Sequence, residues 1–147
     1  MAVSKKKAIK PIPFNVRLVG VSLLGINLPV RIEPIPDGTV FQFNMKIEQR
    51  FYLEQNIVLT IFNLKISDTP TNDNVYCEIT TSCTFHIKED LKAFQDTKTE
   101  KISLPENGRL LMNSLTISTS RGMIASELNS TYLQGVILPI VDPTTFV

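Results

Sequence analysis

Between Val75 and Lys88 the side chains alternate with a period of two. Val75, Cys77, Ile79, Cys83, Phe85 and Ile87 fall on one side, and Tyr76, Glu78, Thr80, Ser82, Thr84, His86 and Lys88 on the other. Successive side chains of a strand point to opposite faces, so the pattern predicts a strand with one dry and one wet face. Sheets of that kind are antiparallel. Residues 41–51 repeat the pattern: Phe41, Phe43, Met45, Ile47 and Phe51 oppose Gln42, Asn44, Lys46, Glu48 and Arg50. Segment 57–66 is apolar on both sides, with Ile57, Leu59 and Ile61 against Val58, Phe62, Leu64 and Ile66. Such a strand is central or covered twice. The loop residues Ser67 to Asn74 join two neighbouring strands. Phe14 to Leu24 reads as a less regular strand, with Phe14, Val16, Leu18 and Leu24 on one face and Val19, Val21 and Leu23 on the other.

Gly25 to Gly38 is a long connection in which Pro29, Pro34 and Pro36 exclude a helix or a central strand. It nevertheless carries Ile26, Leu28, Val30, Ile32 and Ile35, and irregular backbone this apolar is unusual because loops lie on the surface. Ser103-Leu104-Pro105-Glu106 has the form of a capping box and predicts a helix through Arg109–Ser120. Leu111, Leu115 and Ile117 are its expected inward stripe, small hydroxyl residues keep it thin, and Gly122 is its expected stop. Beyond it, Tyr132 to Ile140 is again irregular and apolar. Four strands followed by a helix give an α+β chain, with the helix on one face of an antiparallel sheet.

With 147 residues, 43% of them hydrophobic and 20% charged, the chain has the size and composition of one globular domain. We divide it into a flexible N-terminal tail, 1–13, and a single domain, 14–147. A net charge of +1 leaves no electrostatic footprint for nucleic acid. No apolar stretch approaches the ~18 residues of a membrane span, so membrane insertion is not expected. Lys5–Lys7 ahead of Leu18–Val30 imitates a signal peptide, but Pro11, Pro13 and Arg17 interrupt it and no small-residue cleavage pattern comes after Val30.

Catalytic chemistry has little to work with. His86 is the sole histidine and alternates with Thr84 and Lys88 on the polar face, beside no nucleophile. Phosphate-loop, dinucleotide and nucleophile-elbow patterns are missing. Cys77 and Cys83 sit six apart on one strand, roughly 20 Å between α-carbons. That is beyond the reach of a disulfide, and one histidine is too few to complete a zinc site. Buried thiols in a reducing compartment, no metal, no cofactor and no enzyme are the expectations.

Several segments together resemble the SecB family of export chaperones. Phe14 to Leu24, with Ser22 through Pro29 after it, looks like the family's first strand and the start of its crossover connection. Ser118-Thr119-Ser120-Arg121-Gly122 resembles its helix end, and Leu138-Pro139-Ile140-Val141-Asp142-Pro143 the segment before its last helix. The resemblance covers roughly residues 14–147. It implies a four-stranded antiparallel sheet with a long crossover connection and one main C-terminal helix packed on one face. It further implies a cytoplasmic, ATP-independent holdase serving protein transport, a tetramer built as a dimer of dimers, which binds unfolded or partner polypeptides in hydrophobic grooves. Residue by residue, Ile26, Leu28, Val30, Ile32 and Ile35 take the crossover wall of the groove, and Tyr132, Leu133 and Ile137 its other wall. The chain also departs from the export members. Its outward strand faces mix Lys46, Glu48 and Arg50 with Glu78, His86 and Lys88, and the sequence ends at Val147 without a Cys/His tail. Docking to the export motor is therefore not expected, and a solitary or toxin–antitoxin-linked chaperone is. The alternative is a structural or adaptor protein that uses the same scaffold to bind one folded partner.

Overall fold

The computed structural model describes residues 14–31, 33–68 and 74–146. The expected tail 1–13 and Ile32 lie outside the described residues. Val16–Asn27 (β1), Phe41–Tyr52 (β2), Ile57–Asp68 (β3) and Val75–Ile87 (β4) form one antiparallel sheet in the order β1-β4-β3-β2. The α+β expectation is met in full, with one main helix, Glu106–Leu128 (α1), after the strands. β1 and β2 are consecutive in sequence yet lie at opposite edges. The connection between them must therefore traverse three inter-strand gaps, roughly 14 Å. It does so on the helix side, where Leu28 and Ile35 pack against the core.

β3 is central, as its two apolar faces require. Val58, Thr60, Phe62, Leu64 and Ile66 are buried on the helix side, and Ile57, Leu59 and Ile61 are half-buried on the other. A tight turn at Asn56, in the left-handed region (φ 55), joins β2 to β3. Asparagine tolerates that conformation better than most residues. Its side chain also donates to Glu89 O at 3.0 Å and accepts from Leu91 N–H at 3.0 Å, which anchors the 3₁₀ turn Leu91–Phe94.

Two strand expectations need correction, and bulges explain both. Tyr76, expected on the wet face, is only 3% exposed. The ladder skips from Ile66↔Cys77 to Ser67↔Val75, so Tyr76 is the extra residue of a bulge and joins the core. In β1, the ladder shifts between Leu18 and Gly20 and again between Leu23 and Gly25. Each extra residue reverses the parity of the strand beyond it. Leu18, Val21, Leu23 and Ile26 thereby all come opposite inward positions of β4: Phe85, Cys83, Thr81 and Ile79. The expected split of β1 into two mixed faces is replaced by one apolar face. The strand also runs to Asn27, so Ile26 belongs to β1 and not to the connection.

The helix differs from expectation in start, stop and facing. Pro105 occupies the N-cap and offers no side-chain hydrogen bond, so the capping box does not form, and Asn107 Oδ1 instead accepts from Gly108 N–H at 3.0 Å. Gly122 is passed without interruption. Met112, Asn113, Thr116, Ile117, Ser120, Ile124 and Leu128 are buried, whereas Leu111 and Leu115 point outward at 47% and 37% exposure. The thin hydroxyl-bearing side is thus the one against the sheet, where Thr81 and Ser120 share a buried hydrogen bond of 2.7 Å. The helix packs over β3 and β4 with a lighter contact to β1.

Candidate binding groove

A helix with its side chains is ~10 Å wide, whereas four strands span nearly twice that. One helix centred on β3 and β4 therefore leaves the margins of the inward face thinly covered. On β2 the inward row Phe41, Phe43, Met45, Ile47 and Phe51 is only half-buried. At its far end Gln49 Nε2 donates to Asn113 Oδ1 of the helix at 3.3 Å. At its near end a cleft of about 500 Å³ opens over Phe41 and Phe43, with Ile35 of the connection and the segment Tyr132, Gln134–Ile137 as its walls.

The walls are held by polar contacts that begin in local sequence. Thr131 Oγ1 donates to Leu128 O at 2.8 Å, just beyond the helix, and turns the chain back. Leu133 then inserts into the core, fully buried. Gly135 takes φ +84, a conformation that favours glycine and lets the chain reverse at the cleft rim. Arg121 Nη2 donates to Leu138 O at 3.1 Å and fixes the extended remainder of the tail. Tyr132 ties tail, connection and sheet together: its hydroxyl lies 2.7 Å from Tyr76 O and 2.9 Å from Pro29 O. One proton serves those two carbonyls in turn. Burial raises the Tyr132 pKa, Cys77 adds to the shift, and the Arg31 charge opposes it.

The sequence-based site residues divide sharply. Ile35, Tyr132 and Ile137 come together around the cleft. Val30 projects from the connection at 95% exposure and Ile137 from the tail at 84%. Leu28 packs on the core instead, and Ile26 sits on β1 at the opposite edge of the sheet. Leu133 is core and offers no surface. Ile32 lies outside the described residues. Sequence reasoning placed Phe41 and Phe43 facing inward but missed them as the floor of the cleft. The signal available was geometric: a single helix cannot cover an inward row on every strand.

His86 lies on the opposite, wet face of the sheet. With Asn15, Val16, Arg17 and Lys88 it lines a separate hollow of about 290 Å³. Asn15 N–H and Nδ2 hold the nearby Glu89 carboxylate at 2.8 Å each, and the backbone donor lowers its pKa most. Cys77 and Cys83 are both free and buried on the inward face of β4. Among the described residues no helix is long and apolar enough to cross a membrane.

No protein-family model and no curated protein matches the sequence. Among solved structures, the chain is similar to the SecB-like chaperone Rv1957 of Mycobacterium tuberculosis, in complex with a ChAD peptide from the Rv1956 HigA1 antitoxin. The two share 12% identity with a TM-score of 0.59, over 86% of this chain and 89% of that one. The likeness is one of fold: this chain has the SecB-like architecture.

Proposed function

We propose that the chain is a non-catalytic, ATP-independent holdase that binds an unfolded or partner polypeptide in the cleft over Phe41 and Phe43. The observation that carries this reading is an open apolar cleft between Ile35 and the Tyr132–Ile137 segment, the latter tied to the sheet and the connection through the Tyr132 hydroxyl. Exposed apolar surface of that kind marks contact with other proteins. An extended polypeptide suits it because β2 is an edge strand whose outer backbone groups are open to pairing. The structural neighbour binds an antitoxin peptide on the same fold, which supports a client dedicated to this chain over a broad export role.

Self-association belongs to the same proposal. Leu18, Val19, Val21, Leu23, Leu24 and Ile26 of edge strand β1 are each between 37% and 54% exposed, and Leu111 and Leu115 add an apolar stripe on the outer face of α1. A second copy would cover both.

The test is aggregation of a chemically unfolded client, monitored by light scattering without nucleotide. Suppression at near-stoichiometric ratio is the expected result. Undiminished scattering, together with stable binding of a folded partner, would favour the adaptor reading instead.

A further inference from the structure

Arg31 is the only basic residue in the connection 28–40. Its guanidinium carbon lies 4.6 Å from the Tyr76 ring centroid and 6.0 Å from that of Tyr132. Its Nε is buried and makes no hydrogen bond. Stacking covers the flat face of a guanidinium and leaves its terminal edge, the two Nη groups beyond the buried Nε, available. That edge borders a second cleft, about 410 Å³, between the connection and the β3–β4 end of the sheet. Asp68 lines the same cleft but is turned to Asn74, accepting from its N–H at 3.3 Å and its Nδ2 at 2.8 Å, and it forms no ion pair with Arg31.

The polar cleft and the apolar one are neighbours. Ile35 lines the apolar cleft and Pro36 the polar one, and Phe41 on the apolar floor meets Tyr76 edge-on at 5.4 Å between centroids. Tyr132 belongs to the apolar cleft and faces Arg31. In an extended peptide, side chains two residues apart point the same way, ~7 Å from each other. The Tyr76 ring stands between the two clefts, 4.6 Å from the Arg31 guanidinium carbon and 5.4 Å from the Phe41 ring, so side chains with that spacing can fall on either side of it.

We propose that Arg31 is the polar specificity determinant of this groove, donating paired hydrogen bonds to a client carboxylate placed two residues from the apolar side chain that fills the neighbouring cleft. The assignment rests on the groove reading above and adds to it a preferred client chemistry: an aromatic or large aliphatic residue with Asp or Glu two positions away on either side. Charge-assisted bidentate pairing is the strongest hydrogen bonding a guanidinium offers, and Arg31 borders the polar cleft with no ion pair to Asp68, the carboxylate that lines it.

Three fluorescein-labelled peptides test this by anisotropy at low salt: Gly-Ser-Glu-Ser-Phe-Ser-Glu-Ser-Gly, with an acid two positions to either side of Phe, and its counterparts with Gln or Lys in place of both Glu residues. Wild-type protein is expected to bind the Glu peptide about tenfold more tightly than the Gln peptide, the size of one charged hydrogen bond. Arg31→Gln should bind both alike, at the affinity the wild type shows for the Gln peptide. Arg31→Lys, which keeps the charge without the planar fork, should retain part of the preference. Equal wild-type affinity for the Glu and Gln peptides, tighter binding of the Lys peptide, or a Glu preference that survives in Arg31→Gln would each overturn the assignment while leaving the groove reading in place. Failure of all three peptides to bind would overturn both.

Discussion

Phe14 meets the helix at Gly108, and the contact decides how the first strand enters the fold. The ring lies so close to Gly108 that a Cβ there would overlap its edge carbons, and the same ring packs edge-on against Phe94 at 5.7 Å. Gly108→Ala must therefore displace Phe14, and overpacking of this kind costs about 1–3 kcal/mol. Urea unfolding should show that loss, and Phe14→Ala should make the Gly108→Ala change nearly neutral. Additive losses in the double variant would contradict the contact. A second residue-scale expectation concerns Cys77. Burial pushes its thiol up to about 11, with the Glu78 charge adding to the shift. A raised thiol pKa means that the folded state holds its proton longer than the unfolded chain does. Its contribution to stability is thus complete below about pH 9 and is lost as pH rises through 11. At pH 8, thiol reagents should modify Cys77 only at the rate of opening, in step with denaturant.

At the scale of elements, β1 is the exposed edge that a lone chain would have to protect. It carries no charge after Arg17, and its two bulges turn its apolar side chains to the inward face at a margin the helix hardly covers. Long apolar edges invite pairing with another chain, and inward-pointing lysine is a common guard against it. If the proposed self-association runs through β1, Val21→Lys and Leu23→Lys should lower the sedimentation mass to that of the 16.5 kDa monomer while the circular dichroism spectrum is kept. A wild-type chain that already sediments as the monomer, or a mass unchanged by the lysines, would count against β1 as a contact between copies. The same strand shows where sequence legibility ended. β2, β3 and most of β4 were readable because their alternation is unbroken against straight partners. The faces of β1 and the burial of Tyr76 were not, because a bulge is a property of two paired strands and reverses parity without marking the sequence. The facing of α1 was hidden for a different reason. Leu111 and Leu115 are larger than Thr116 and Ser120, so hydrophobicity pointed to the outer side. The sheet instead took the thin side, which allows close approach.

At the scale of the molecule, the cleft exists because one helix is narrower than the sheet it covers, with the connection and the tail closing the gap from two sides. Part of that was visible in the sequence: both closing segments stood out as irregular yet apolar, and Ile35, Tyr132 and Ile137 do meet. Which of their side chains plug the core and which remain open depended on turns, such as that at Gly135, whose direction no periodicity encodes. The two duties separate by substitution. Leu133 is fully buried, so Leu133→Ser should destabilise the fold by at least the ~2–5 kcal/mol of a buried leucine truncation. Val30 and Ile137 touch mostly solvent, so Val30→Ser and Ile137→Ser should stay within about ±0.5 kcal/mol of the parent. If the open side chains serve a client, Ile137→Ser, at the cleft rim, should raise the dissociation constant for an unfolded polypeptide several-fold with the unfolding midpoint unchanged. Val30→Ser, farther along the connection, should have a smaller effect in the same direction. Normal client affinity in both variants would reduce the two apolar segments to a lid over the core.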